Sequence, residues 1–411
     1  MEVLYPRCCG LDIHKRSVVA CLLTPDADGQ PRKELRSFGA MTDDLLALAD
    51  WLTAAGCTHV ALESTGVYWQ PIYNLLEDGF ELLLVNARHV KAVPGRKTDT
   101  KDCEWLAELL RHGLLRASFV PARPQRELRE LTRYRTSLVR ERTAEANRLQ
   151  KTLEGANIKL AAVATDILGK SGRAMLAAVL AGTTDPHALA QLAQGRLREK
   201  LPQLEQALKG RFGAHQRFLV AQQLGHIDYL DAAIARVGAE IAERLAPIDE
   251  ALARLDTIPG IGRHIAEALV AEIGVDRGRF PTASHLASWA GMCPGNHESA
   301  GKRRSGKTRN GSPWLRALLI QAAHAAARTK DTYLAAQYRR LAARRGRNKA
   351  AVAVGHTILV IAYHLLQRGT DYDELGARYF DEHERRAVER RLVRRLQGLG
   401  YKVLLEPMVG S

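Results

Sequence analysis

Apolar positions along this chain keep a period of two at first and a helical period afterwards. Tyr5 to Asp12 ends in the apolar run CCGLD, and Ser17 to Thr24 reads SVVACLLT. His14-Lys15-Arg16 turns the chain between them, so the pair predicts a β-hairpin. Residues 33–39 are a candidate third strand. A helix is expected from Thr42, a candidate N-cap, to Ala55, followed by the short strand His59 to Glu63 (HVALE). A helix from Tyr68 to Glu77 and a strand from Glu81 to Val85 (ELLLV) complete the run. Strands first in hairpins and later alternating with helices predict a mixed α/β domain over residues 1–120.

Past Pro121 and Pro124 the pattern is helical. Residues 126–151 carry eight basic and four acidic side chains. They read either as a solvated helix laced with i,i+4 pairs or as a helix that tracks a phosphate backbone, with Arg133 and Arg140 as contacts. Residues 160–215 are rich in Ala, Leu and Gln, with turn signals from Gly182 to Pro186. From Ile227 the apolar positions run Leu230, Ile234, Val237, Ile241, Leu245, Ile248, Leu252 and Leu255, a seam with Pro247 placed to kink or split it. Residues 121–255 are therefore expected to form a helical coiled-coil linker that self-associates or spaces two domains. The same seam also fits a long helix packed within its own chain.

TIPGIG (Thr257 to Gly262) followed by RHIAEALVAEIG has the form of a helix-hairpin-helix turn. Gly260 and Gly262 would let backbone N–H groups approach a phosphate, or simply make a tight turn. Residues 294–313 are dense in Gly, Ser, Asn and Pro and predict a loop, with a helix after Pro313. The region 256–345 is thus expected to be a helical domain, and 346–411 a basic helical extension. Ala350 to Leu366 is the longest apolar run; Gly355, His356 and His364 interrupt it, which predicts a buried helix with both histidines packed, and no membrane span. The fold class is α/β plus all-α.

Composition narrows the partner. Sixty Lys and Arg against 45 Asp and Glu give a net charge of +15, which favours a polyanion. MEVLYPRCCG lacks a charged leader with an apolar core, and the six cysteines form no CxxC pair, five of them lying before residue 104. Both features predict a cytoplasmic chain with reduced thiols. Nucleic acid is the expected partner.

The candidate chemistry begins at GRKTDTKDCEWLAELLRH (residues 95–112), where Asp99 and Asp102 share the first turn of an amphipathic helix framed by Arg96, Lys97 and Lys101. Thr98 or Asp99 as N-cap, with Asp102 closing a capping box, is the structural alternative. Asp12 on the first strand and Glu63 at the end of HVALE stand in otherwise apolar contexts, although Asp12 also suits a turn. A buried acid is costly unless paired or bound to a cation. Four carboxylates from three elements suit Mg²⁺ and phosphoryl chemistry. In the later loop, Lys302, Arg303, Arg304, Lys307 and Arg309 surround Ser299 and Ser305. A serine there is either a turn former or a nucleophile whose phosphodiester transition state the cations would stabilise. Ser312 reads as an N-cap ahead of Pro313.

GLDIHKRSVV, ALESTGVYW and KTDTKDCEWLAELL together resemble the DEDD domain of the insertion-sequence-110 family of bacterial transposases, a domain similar to the RuvC and RNase H nuclease fold. That resemblance maps the family's acids onto Asp12, Glu63, Asp99 and Asp102. HLASWAGMCPGNHESAGKRRSGKTRNGSPWLRALLIQAA is similar to the family's second domain and maps its nucleophile onto Ser299, with Ser305 as second candidate because Ala300 stands where many relatives place glycine. The resemblance implies a recombinase that cuts and rejoins donor and target DNA through a phosphoserine link with Mg²⁺. It also implies a structured bridge RNA, a homo-oligomer from dimer to tetramer, and a bacterial protein that joins the nucleoid when active. Two alternatives are a junction-resolving nuclease that uses the acids and water, and a non-enzymatic nucleic-acid-binding protein whose acids are caps.

Overall fold

The computed structural model describes residues 2–64, 66–86, 90, 102–276, 278–295, 297–299, 302–383 and 385–404. Arg96, Lys97, Asp99 and Lys101 lie outside them. The chain divides into two compact units, Met1–Arg123 and Pro124–Ser411.

The first unit is built on a five-stranded sheet in the order β3-β2-β1-β4-β5. The strands are β1 (Cys8–Ile13), β2 (Ser17–Pro25), β3 (Pro31–Gly39), β4 (His59–Glu63) and β5 (Glu81–Val85). β1 pairs antiparallel with β2 and parallel with β4; β2–β3 is antiparallel and β4–β5 parallel. The period-2 alternation in β1 sorts its side chains to two covered faces. Cys9, Leu11 and Ile13 join Leu45, Leu48, Leu52, Ile72 and Leu76 of α1 (Thr42–Ala54) and α2 (Trp69–Leu76). Cys8 joins Cys103, Leu106, Ala107 and Leu110 of α3 (Asp102–Arg111) on the other face. Helix α1 starts at Thr42 itself and not after it: Met41 holds the N-cap position without a side-chain cap bond. This α/β arrangement of three antiparallel and two further parallel strands is consistent with an RNase H-like domain.

In the second unit a long helix, α4 (Arg123–Gly155), runs out to a small helical tip, and α9 (Ala214–Leu245) runs back. Glu127 pairs with Arg244 at 2.8 Å, Arg142 with Asp231, Glu145 with His226 at 3.5 Å, and Thr152 with Gln223 at 3.1 Å. Numbers rise along one helix as they fall along the other, so the two are antiparallel. The seam residues Ile227, Leu230, Ile241 and Leu245 are buried within this chain. Leu230 and Ala233 meet Leu138, and Val220 and Ile227 meet Leu149 and Leu153. At the tip, α5 (Leu160–Val163), α6 (Lys170–Leu180), α7 (Pro186–Ala190) and α8 (Leu201–Ala207) enclose a second core around Leu160, Met175, Leu176 and Leu204. Asp185 caps α7 ahead of Pro186, as the turn signals indicated.

Pro247 does split the seam: α9 ends at Leu245, a 3₁₀ turn covers Ala246–Ile248, and α10 (Asp249–Asp256) resumes. A helical core follows from α11 (Arg263–Ile273), α12 (Ala283–Trp289), α13 (Pro313–Ala326), α14 (Tyr333–Arg345) and α15 (Arg347–Arg368). Helix α15 is long and apolar enough to cross a membrane by length and composition. Its stripe of Ala351, Val354, Ile358, Leu359 and Ala362 is buried among the residues of this core. His356 is half-buried, and burial lowers its pKa; His364, expected to be packed, is exposed one step round the helix and lies edge-on to Tyr363. Two further helices, α16 (Tyr379–His383) and α17 (Arg385–Gly398), form the basic C-terminal stretch.

Candidate active site

Three of the four predicted acids are described, and strand register brings two of them side by side. Leu11 of β1 lies opposite Leu62 of β4 in the parallel pair. Asp12 and Glu63 are the next residues on each strand, so both point away from the Leu11/Leu62 side and toward the face covered by α3. Helix α3 runs against β1: Cys103 lies over Gly10, and the Cys8 thiol contacts the Ala107 carbonyl at 3.6 Å. Its first residue, Asp102, is therefore at the end of the sheet where Asp12 and Glu63 stand.

The close approach depends on Gly10. A Cβ there would stand 2.2 Å from the Cys103 carbonyl oxygen and 2.5 Å from the Ala107 nitrogen. No other residue permits the helix backbone to rest on the strand at this distance. The Asp12 carboxylate is 29% exposed and 3.3 Å from His14 Nε2, beyond the strand end. Burial, and next the charge of Asp12, pushes the Cys103 thiol up, so this cysteine stays protonated beneath the acids. Glu104, the next acid along α3, is held by Lys33 at 2.6 Å. Among the described residues no three His, Cys, Asp or Glu side chains converge as a ready metal cluster. The donor set of Asp12, Glu63 and Asp102 is all carboxylate oxygen, which fits a hard divalent cation and not a soft one.

The predicted loop 294–313 contains order that the sequence concealed. β6 (His297–Ser299) and β7 (Lys302–Ser305) pair antiparallel, with Ser299 opposite Lys302 and Glu298 opposite Arg303. Ser299 thus sits at the outer end of a hairpin. The base of that hairpin is laced by backbone: Gly295 N–H donates to the Lys307 carbonyl at 3.0 Å, and Pro294 bridges to Thr308. Gly291, at φ +68°, lies so near Gly311 that a Cβ would stand 2.7 Å from its nitrogen. Arg316 on α13 ties down the segments on either side of the hairpin by donating to the Gly291 carbonyl at 3.2 Å and to Thr308 Oγ1 at 2.9 Å. Ser305 Oγ accepts from the Lys307 N–H at 3.1 Å, which makes it a turn former. Ser312 caps α13 as expected, accepting from the Leu315 N–H at 3.2 Å. Lys302, Lys307 and Arg309 are exposed around the hairpin.

The other predicted contacts divide. The basic face of α4 is largely engaged inside its own unit, because α11 carries two buried acids. Arg133 forms a bidentate pair with Glu272 at 2.7 and 3.0 Å, Arg135 meets Glu267 at 2.7 Å, and Arg129 donates to the Ala271 carbonyl at 2.9 Å. Arg140 is exposed. At the TIPGIG turn, a Cβ on Gly260 would meet the Ala322 carbonyl of α13 at 2.4 Å, so that glycine serves close packing at φ +91°; Gly262, at the start of α11, is exposed with open space around it. The sequence reading missed Glu267, Glu272 and Trp314. Acids inside the apolar run of RHIAEALVAEIG were the available signal for the first two, and an aromatic one step into the helix after a basic loop for the third.

These features can be set beside known proteins. An IS110 transposase model of the DEDD type matches residues 9–158, and a model described as Transposase IS116/IS110/IS902 family matches residues 252–339. A protein of Pseudomonas aeruginosa named as a family 20 transposase is 30% identical over 320 residues, covering 76% of this chain and 85% of its own length. A protein of Sinorhizobium fredii named as the transposase y4pF/y4sB is 28% identical over 326 residues, 77% of this chain and 74% of its own. One match begins at β1 and takes in the acid-bearing sheet, and the other spans the serine hairpin; this chain belongs to the IS110 family of transposases.

Proposed function

We propose that this transposase cuts and rejoins donor and target DNA through a transient phosphoserine link, with Ser299 as nucleophile and Asp12, Glu63, Asp99 and Asp102 as the acid set. Residues 1–120 act as the RuvC-like acid-bearing domain, 121–255 as the helical arm, 256–345 as the serine domain and 346–411 as a basic extension. The observation that carries this reading is the register that aligns Asp12 with Glu63 on the face where α3 begins at Asp102. Carboxylates brought to one end of a sheet from separate elements are suited to share a hard divalent cation.

The acids would hold Mg²⁺, which, when bound, polarises the scissile phosphate and stabilises the leaving oxygen. The Ser299 hydroxyl attacks phosphorus and gives up its proton; the bond from phosphorus to the deoxyribose oxygen breaks, and that oxygen takes up a proton. Attack by another strand's hydroxyl on the phosphoserine reverses these events and rejoins the DNA without an external energy source. Lys302, Arg303, Arg304, Lys307 and Arg309 neutralise charge that grows on the phosphate during attack. Arg96, Lys97, Lys101, Arg140 and Gly262 are proposed as backbone contacts. Sequence choice resides in a bridge RNA, so the protein reads shape and phosphate, in a dimer-to-tetramer assembly at the bacterial nucleoid.

The test combines purified protein, Mg²⁺, RNA transcribed from the flanking element, and labelled donor and target DNA on denaturing gels. Protein-linked DNA should form with wild type and Ser305→Ala and vanish with Ser299→Ala and Asp102→Asn. Cleavage that persists in Ser299→Ala without any linked DNA would instead establish the water-using nuclease.

A further inference from the structure

One groove of the second unit is formed where α4, α9, α11 and α13 meet, and it encloses about 290 Å³. That is near the lower bound of small-molecule clefts, about 300 Å³. Val139, Ile234, Ile265 and Leu318 give it an apolar floor, and the Trp314 indole forms one wall. The Arg140 guanidinium lies over that indole, 5.1 Å from its centroid, and Arg133 lies 5.8 Å away. Three arginines line the groove against one acid among the described lining residues, Glu272, which already accepts both hydrogen bonds of Arg133. Arg140 is exposed and its only contact among the described residues is with the ring. The groove therefore offers a flat aromatic surface, an apolar floor too small for a helix, and one uncompensated cation. Trp314 is also the second residue of the helix that follows the serine hairpin in the chain.

We infer that this groove holds an unpaired nucleotide, its base stacked on Trp314 and its phosphate bound by Arg140. An aromatic face accepts any base, and a guanidinium pairs with a phosphate in two-point fashion. The base takes the place over the indole that Arg140 covers in the free protein, and Arg140 turns outward to the phosphate. A paired base, stacked on both sides within a duplex, has no face to offer, so the groove selects single strands. The proposal rests on the transposase reading only for its biological context. The binding it predicts is measured without Mg²⁺, so the fate of the serine and acid assignments does not enter the result.

The experiment is fluorescence anisotropy of labelled oligo-dT, oligo-U and a blunt duplex at fixed salt, with full-length wild type, Trp314→Ala, Trp314→Phe and Arg140→Gln. Trp314→Ala should weaken single-strand binding about 5- to 150-fold. Trp314→Phe should keep most of the affinity and Arg140→Gln should lose part of it, and duplex affinity should stay unchanged in both tryptophan variants. Loss confined to oligo-dT or to oligo-U identifies DNA or RNA as the source of the nucleotide; loss of both assigns the groove to either strand. Equal weakening of duplex and single strands by Trp314→Ala would overturn the proposal, and so would wild-type affinity in all variants. A change of oligomeric state on size exclusion with single-strand affinity intact would make the groove a contact between copies and would overturn it too. Should Trp314→Ala fail to fold, the Trp314→Phe and Arg140→Gln pair decides: unchanged single-strand binding in Arg140→Gln refutes the phosphate contact.

Discussion

Replacing Gly10 with alanine adds one methyl group where β1 meets α3. The new Cβ would lie 2.2 Å from the Cys103 carbonyl oxygen, 2.5 Å from the Ala107 nitrogen and 2.9 Å from Leu106 Cβ. A relaxed carbon–oxygen contact is roughly 3.3 Å, so α3 must withdraw by about 1 Å. Two of the three obstacles are backbone atoms and cannot swing aside. Overpacking of this kind costs about 1–3 kcal/mol. The gain from a stiffer unfolded chain offsets only about 0.4–1 kcal/mol of it. The melting transition of the first unit should fall by several degrees, on the order of 5 °C. Asp102 opens α3 and moves with it, and misplacement of a reacting group by about 1 Å can cost as much as about 100-fold in rate. Calorimetry and the linked-DNA assay would be run on Gly10→Ala beside Gly79→Ala, where an added Cβ meets nothing within 4 Å. The control should melt and react as wild type. Wild-type linked-DNA yield in Gly10→Ala, with or without a lower melting point, would refute the idea that this contact fixes Asp102 against Asp12.

Three further outcomes follow from the second unit. Arg135→Met leaves Glu267 buried beside a weaker set of partners and should cost about 3–5 kcal/mol in urea unfolding; an unchanged midpoint would show the pair to be dispensable. Burial alone would raise the Glu267 pKa, yet hydrogen bonds from Arg135, Arg263 and His264 outweigh it and hold the carboxyl below its ordinary value of 4.5. Its stabilising contribution is therefore complete above that value and lost as pH falls through the lower folded one. The wild-type melting point should drop across that acid window more steeply than in an Arg135→Met/Glu267→Leu double variant, and parallel curves would contradict the sign. Gly291→Ala strains a φ of +68° and pushes Gly311 away; it should abolish linked DNA with only a modest change in melting point, and normal yield would show that the hairpin base does not position Ser299.

Much of the first unit was legible because a two-sided sheet writes its pattern locally. The alternation of Cys9, Leu11 and Ile13 against Cys8, Gly10 and Asp12 is visible in six letters, and HVALE places Glu63 at a strand end. Pro247 and Ser312 also announce their roles through backbone chemistry confined to a few residues. What stayed hidden was set by partners far along the chain. Arg133 read as a phosphate contact because Glu272, its partner, is more than 130 residues away in sequence. The β6–β7 hairpin was hidden by its shortness, since three or four residues cannot display a period of two against a glycine-rich background. Gly260 showed a turn but not its neighbour: nothing local reveals that α13 would fill the space beside it.

The out-and-back course of α4 and α9 gives this transposase a helical branch. The two family models leave residues 159–251 between them, and that interval holds the tip and the whole returning helix. Departure and return are neighbours: Glu127 touches Arg244, and Leu128 shares a core with Ile241 and Leu245. Trimming equal lengths from both helices would draw the tip inward by about 10 Å for every seven residues on each side, with the junction left where it is. Branch length is thereby uncoupled from the chemistry at the base, much as the reach of a crane is set by its boom and not by its engine. A change in the length of the branch would therefore leave the packing of the serine hairpin on its supporting helices as it is.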